Sequence, residues 1–301
     1  MQKNIIDIIG VPMDYGGNRR GVDMGPSAVR YSGLKEKITR MGLIYHDCGD
    51  IIVPLPEVQN DADIKSKYVD EIIAVNKDLY DKVYKAHKSD RFPLIIGGDH
   101  SIAVGSCLAS LDYHKKIGVI WIDAHADFNN LKSSLTGNVH GMPLCAIAGK
   151  DGGLLNIPDR ENEAFVNEKN IVIVAARDLD AAEVKMLKQS NITVFSMQHI
   201  DKFGMHDTMK RAIKVASDGV SGIHVSLDLD AVSPKEAPGV GTPVKGGLTF
   251  REAHLAMELL SESEKMVSLD VVELNPIADN SNLTGDLAVR LIESAFGKNI
   301  I

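Results

Sequence analysis

Gly118-Val119-Ile120-Trp121-Ile122-Asp123-Ala124-His125-Ala126-Asp127 is the stretch on which the reading of this chain turns. Val119 to Ile122 is an unbroken apolar run, as a strand buried on both faces of a parallel sheet requires. The second half changes character, with Asp123, His125 and Asp127 alternating with Ala124 and Ala126. Side chains two apart on an extended chain point the same way. Three potential ligands are therefore expected together at the strand's carboxyl end, where open α/β sheets hold what they bind. A strand running into an ordinary polar loop is the simpler reading. It leaves carboxylates crowded at the mouth of an apolar strand, repelling each other unless a cation neutralises them. The stretch points to a metal site.

Apolar strands alternate with helical stretches along the whole chain. Strands are expected at Ile5 to Pro12, Leu43 to Ile51, Phe92 to Ile96, Ile171 to Ala175, Thr193 to Ser196, Ile223 to Leu227 and Met266 to Val272. Helices are expected from Gly25-Pro26-Ser27, over Asp63 to Lys88, after Ser101, and over Ala181 to Gln189, Met205 to Ser217, Thr249 to Leu260 and Leu287 to Phe296. Thr249-Phe250-Arg251-Glu252 has capping-box spacing. This alternation predicts a three-layer α/β/α fold around a mostly parallel sheet of about eight strands. No repeat or linker divides the 301 residues, so one domain spanning 1–301 is expected. The loops Leu131 to Asn138 and Ser233 to Lys245 should lie over the site.

Composition narrows the function. At 44% hydrophobic and 25% charged residues the chain can build a sizeable core. A formal net charge of −8 disfavours nucleic acid or an anionic membrane as partner. No apolar run reaches the length of a membrane span and no leader pattern opens the chain. The three cysteines, Cys48, Cys107 and Cys145, are odd in number and far apart, which suits reduced thiols in the cytoplasm.

Two more strand ends repeat the logic of the first. Gly97-Gly98-Asp99-His100 follows one apolar strand, and Ser226-Leu227-Asp228-Leu229-Asp230 ends another with carboxylates at i and i+2. Together they offer His100, Asp123, His125, Asp127, Asp228 and Asp230. Four carboxylates and two imidazoles exceed what one tetrahedral zinc takes, and suit two oxygen-preferring ions such as manganese. Such a pair makes hydroxide available at neutral pH for a hydrolysis.

Gly-Gly-Asp-His-Ser, Asp-Ala-His-Ala-Asp and Ser-Leu-Asp-Leu-Asp, in this order, resemble the arginase/agmatinase (ureohydrolase) family. The likeness runs from Gly21-Val22-Asp23-Met24-Gly25-Pro26-Ser27 to Val272-Glu273-Leu274-Asn275-Pro276. Gly137-Asn138-Val139-His140-Gly141 and Gly241-Thr242-Pro243 are most similar to the family's bacterial arginases. The resemblance implies two manganese ions per chain, one on His100, Asp123, Asp127 and Asp228, the other on His125, Asp123, Asp228 and Asp230. Asp123 and Asp228 would bridge them. It further implies that hydroxide between the metals attacks the guanidinium carbon of L-arginine, giving L-ornithine and urea. Asp127 would pass a proton to the leaving nitrogen, His140 would exchange protons with solvent, and Glu273 would pair with the guanidinium.

The same resemblance assigns the α-carboxylate to Asn129, Ser134, Thr136 and Asn138, the α-ammonium to Asp180 and Glu183, and places Thr242 at the site. It also implies a homo-oligomer, a trimer or hexamer. Two segments depart from the family's usual wording: Asn129 to Thr136, and Ala231-Val232-Ser233-Pro234 after the last ligand pair. Agmatinase or another guanidino- or amidino-hydrolase is the alternative, disfavoured by a loop rich in hydroxyls and Asn that agmatine could not use. A catalytically silent metal-binding regulatory module has no need of so costly a site. A nucleotide binder lacks the glycine fingerprint after the first strand.

Overall fold

The computed structural model describes residues 3–55 and 68–298. In chain order the elements are β1 (Ile5–Val11), α1 (Gly25–Tyr31), α2 (Leu34–Arg40), β2 (Ile44–Asp50), α3 (Val69–Lys88), β3 (Phe92–Gly97), α4 (Ala103–His114) and β4 (Ile117–Ile122). They continue with α5 (Pro143–Ile147), β5 (Ile171–Ala176), α6 (Ala181–Gln189), β6 (Thr193–Ser196), α7 (Met197–Ala216), β7 (Gly222–Asp228), α8 (Phe250–Glu262), β8 (Met266–Val272) and α9 (Leu283–Ala295). All eight strands join one sheet in the order β2-β1-β3-β8-β7-β4-β5-β6, and every pairing is parallel.

Burial explains why the strands form. Every residue of β3, β4, β5 and β7 is buried, so their apolar runs fill both faces. Ile120 and Ile122 of β4 pack with α7 and α8, whereas Val119 and Trp121 pack with α4 and α5. The sheet is thus the middle of three layers, as expected. Each fully buried Ile or Leu contributes roughly 1.5–3 kcal/mol relative to exposure. The β2 edge is largely exposed and is covered by charge: Arg30 binds both Asp47 oxygens at 2.9 Å and Asp50 Oδ1 at 2.6 Å. Such an edge discourages pairing with another chain.

The order of the strands positions the site. β7 and β8, the last strands in the chain, slot between β3 and β4, so four strand ends drawn from distant parts of the sequence lie side by side. Register puts Ile122 beside Leu227 and Asp228 beside Val272, so Asp123 and Asp228 emerge at one level and Glu273 one residue beyond it. Strand order reverses here, which is where open sheets hold their ligands.

Some boundaries differ from the expectation. α3 starts at Val69 after Tyr68 in a left-handed conformation, and residues 63–67 of the expected helix lie outside the described residues. α7 begins at Met197 rather than Met205, because two helical segments meet at Gly204 (φ 78, ψ 158). α9 starts at Leu283 rather than Leu287; its polar first turn, with Asp286, hid the start. The capping box of α8 is formed by Thr249 and Glu252. No helix among the described residues is long and apolar enough to cross a membrane.

Candidate active site

β3 leads into the first corner of the site. At Gly98 a Cβ would lie 1.9 Å from the Met13 carbonyl oxygen, so only glycine lets these two chains pass. Asp99 then caps a single 3-10 turn, His100–Ile102, accepting the Ser101 N–H at 2.9 Å, while its other oxygen holds the Gly16 N–H at 2.8 Å. His100 is thereby turned toward β4. Its ring stacks on Trp121 with centroids 3.9 Å apart, and Trp121 Nε1 donates to Asp123 Oδ2 at 2.9 Å.

β4 stops at Ile122, and residues 123–125 bend instead of continuing extended. Simple strand alternation is therefore not what gathers Asp123, His125 and Asp127. Asp123 Oδ1 accepts the His125 N–H at 2.6 Å in a local turn. Asp127 takes φ 50, a strained value for a non-glycine residue, while its carbonyl accepts the Leu144 and Cys145 N–H groups of α5 at 3.0 and 3.3 Å. At β7 the same device recurs: Asp228 caps Leu229–Ala231, its Oδ1 accepting the Asp230 N–H at 2.7 Å.

The six side chains come together in two overlapping groups. His100 Nδ1 lies 3.2 Å from Asp123 Oδ2, 3.0 Å from Asp127 Oδ2 and 3.3 Å from Asp228 Oδ2. His125 Nδ1 lies 3.0 Å from Asp230 Oδ2 and 3.4 Å from Asp123 Oδ1. Asp123 thus has one oxygen in each group. Asp228 turns Oδ2 to His100, and its Oδ1 accepts the Asp230 N–H much as Asp123 Oδ1 accepts that of His125. All but His125 are buried.

Burial pushes the Asp127 carboxyl up to about 6, aided by the charge of Asp123. It also raises Asp228 and Asp230, each further raised by neighbouring carboxylates. Burial works against Asp123 too, but the charges of His100 and His125, close to its two oxygens, hold it below the usual range. Such a concentration of buried anions is costly without a counter-charge. His100 Nδ1, though surrounded by carboxylates, makes no hydrogen bond with any described residue. Oxygen-rich donors with no cysteine fit a catalytic divalent cation better than structural zinc. By contrast, the group Asp7, His46 and Cys48 at the β1–β2 edge already has Arg91 NH1 3.4 Å from Asp7 Oδ1 and 3.2 Å from His46 Nδ1.

A cleft of about 220 Å³ opens onto the cluster. His125, Asp127 and Asp228 form its floor, and Asn129, Ser134, Thr136, Asn138, His140, Asp180, Glu183 and Thr242 also line it. Both loops expected over the site contribute. Ser134 Oγ accepts the Gly137 N–H at 2.9 Å and Thr136 Oγ1 accepts the Asn138 N–H at 3.1 Å. Each hydroxyl proton is left to donate elsewhere. Asn129 Nδ2 donates to Asp180 Oδ2 at 3.3 Å, and Glu183 Oε1 accepts the Phe128 N–H at 2.8 Å. Burial, with Asp127 and Asp180 nearby, pushes Glu183 up to about 7. Thr242 Oγ1 donates to Asp230 Oδ2 at 3.0 Å.

Glu273 is paired with His140 of the cleft wall. Its Oε1 meets His140 Nδ1 at 2.9 Å and accepts the His100 N–H at 3.0 Å, and its own φ is 65. Burial opposes the imidazolium, but Glu273, Asp99 and Asp127 raise His140 to about 9. Cations in the cluster would pull that value back toward neutrality.

Three residues outside the expected set matter here. Asp178 and Gly141 line the cleft; Asp178 repeats, with Asp180, the i, i+2 acid pattern seen at the other strand ends. Arg177 has no carboxylate partner among the described residues and instead donates to five backbone carbonyls, Asp230 O at 2.6 Å and Val244 O at 2.8 Å being the shortest. It fastens the loop that carries Thr242 onto the end of β7.

Comparison with known proteins agrees with this picture. A sequence model described as the Arginase family matches residues 4–297. The chain is 44% identical to the arginase of Brevibacillus brevis, with 100% of each chain covered. It is 43% identical to the arginase of Bacillus subtilis strain 168, covering 98% of this chain and 99% of that one. A crystal structure of Bacillus subtilis arginase superposes with a TM-score of 0.93 at 43% identity, over 98% of this chain and 99% of the other. With matches this long at this identity, the chain belongs to the arginase family.

Proposed function

We propose that the chain is a manganese-dependent arginase, hydrolysing L-arginine to L-ornithine and urea. The observation that carries this reading is one cleft with a metal-ligand floor and a rim of hydroxyls, amides and acids suited to an α-amino acid. His100, Asp123, Asp127 and Asp228 would hold one ion, and His125, Asp123, Asp228 and Asp230 the other. When bound, the pair supplies the Lewis acidity that makes water a competent nucleophile at neutral pH.

The chain's own groups do the rest. Ser134 and Thr136, with their hydroxyl protons free to donate, bind the α-carboxylate together with Asn129 and Asn138. Asp180 and Glu183 face the α-ammonium, Glu183 through water. Glu273 supplies the anion for the guanidinium, with His140 as its partner until substrate arrives. Water attacks the guanidinium carbon, and the bond to the ornithine nitrogen breaks. Asp127 takes the proton from the water and delivers it to that nitrogen. His140 exchanges protons between the cleft and solvent.

The continuous sheet that carries every ligand supports reading residues 1–301 as one catalytic domain. Unpaired cysteines support a cytoplasmic protein, and the family resemblance supports a trimer or hexamer. The test is a substrate panel of arginine, agmatine and guanidinobutyrate with added manganese, measuring urea. Arginine is expected to be the best substrate, and urea from agmatine alone would refute the reading.

A further inference from the structure

Behind the site a line of buried polar side chains runs from His100 into the middle of the sheet, and nothing in the reaction uses it. His100 Nε2 lies 2.8 Å from Ser226 Oγ on β7. The Ser226 hydroxyl in turn points to Asp270 Oδ2 on β8, 3.5 Å away. That same oxygen accepts from Ser106 Oγ of α4 at 2.7 Å and meets His224 Nε2 at 3.0 Å. Ser226, Asp270, Ser106 and His224 are all fully buried. Asp270 Oδ1 finds no partner among the described residues. Apolar residues at these positions would bind α4 to the strands at lower cost, so packing alone does not account for the carboxylate.

The direction of the hydrogen bonds supplies an account. To ligate a metal, His100 must present a lone pair at Nδ1, the atom that faces Asp123, Asp127 and Asp228. Its proton must then sit on Nε2 and be donated to Ser226 Oγ. A serine hydroxyl with no acceptor of its own would instead donate to Nε2, which selects the tautomer protonated at Nδ1 and unable to bind metal there. Asp270 Oδ2 is the acceptor that turns the hydroxyl the right way.

We propose that Asp270 is a positioning residue which, acting through Ser226, fixes His100 as an Nδ1 metal ligand. The inference rests on the metal-centre reading given above. It predicts that interrupting the line weakens the His100 site and spares the His125 site.

The test titrates manganese into metal-free protein and follows free ion by electron paramagnetic resonance, for wild type, Asp270→Leu, Asp270→Asn and Ser226→Ala. Wild type is expected to bind two ions. Asp270→Leu and Ser226→Ala are each expected to lose about 10- to 100-fold in affinity at one site only. Asp270→Asn keeps an acceptor oxygen and is expected to recover most of that loss. Should Asp270→Leu not fold, Ser226→Ala carries the same test. Two ions bound as in wild type by Ser226→Ala, with only thermal stability lowered, would overturn the inference alone. A wild type that takes up no metal would overturn the metal-centre reading and this inference with it.

Discussion

Replacing Arg177 with Ala should loosen the site from outside the cleft. The guanidinium donates to the carbonyls of Asp230 at 2.6 Å, Val244 at 2.8 Å, Ala231 at 3.1 Å, Lys245 at 3.2 Å and Ala175 at 3.4 Å. Counting only the two shortest, each a hydrogen bond from a charged donor at about 1.5 kcal/mol, gives a loss of about 3 kcal/mol. With an unfolding entropy of about 2.1 cal/mol/K per residue, 301 residues give about 0.6 kcal/mol/K. The expected fall in Tm is therefore about 5 °C. Because Thr242 lies on the released loop and donates to Asp230, manganese affinity should fall as well. Arg177→Lys cannot reproduce the fork and should recover less than half of the stability. Calorimetry of the metal-free protein and a manganese titration measure both effects. A Tm shift under about 1 °C with unchanged metal affinity would show that Arg177 does not clamp the loop, as the magnitude follows directly from the bonds lost.

Other consequences are equally open to measurement. Asp123→Ala, which removes the carboxylate shared by both groups, should cost both metals, whereas His100→Ala should mainly weaken one; equal mild losses in a metal titration would rule out the shared role. If the rim binds the α-carboxylate, agmatine should be disfavoured by a factor on the order of 10² to 10³ in kcat/KM. Asn129→Ala should narrow that gap by weakening arginine, and an unchanged ratio would remove Asn129 from the carboxylate site. Acid should destabilise the metal-free fold through His87, which burial beside Ser110 and His114 depresses to about 2. A folded-state pKa below the unfolded one means the unfolded chain binds the extra proton, so stability present above about 6.5 is lost as pH falls. Between pH 6.5 and 4.5 this amounts to roughly 2–3 kcal/mol. Denaturant unfolding of His87→Gln should show a flatter pH profile, and a slope equal to wild type would contradict the assignment.

The fold was legible because its strands are buried on both faces, which leaves apolar runs such as Ile117–Ile122 that few other structures would accept. Short elements left no such mark: α5 is five residues, buried all round, and shows no helical periodicity. At the site, the motifs named side chains that do cluster, but alternation on an extended strand was the wrong geometry. Turns capped by Asp123 and Asp228 and the left-handed Asp127 gather them instead. Arg177 was not visible as a clamp, since its partners are backbone carbonyls from distant segments. The His224, Ser226 and Asp270 line was readable only as polar residues two apart inside otherwise apolar strands. Their meaning came from the pairing of β7 with β8, which sequence spacing does not display.

Under the proposed function, two manganese ions on the clustered side chains make this cleft a hydrolase for arginine. The most direct test is urea production from L-arginine measured along a manganese titration of metal-free protein, with bound metal counted at each point. Activity is expected to be absent without metal and to reach its plateau at two ions per chain. A plateau at one ion, full activity in the chelated protein, or a single tightly held zinc would contradict it.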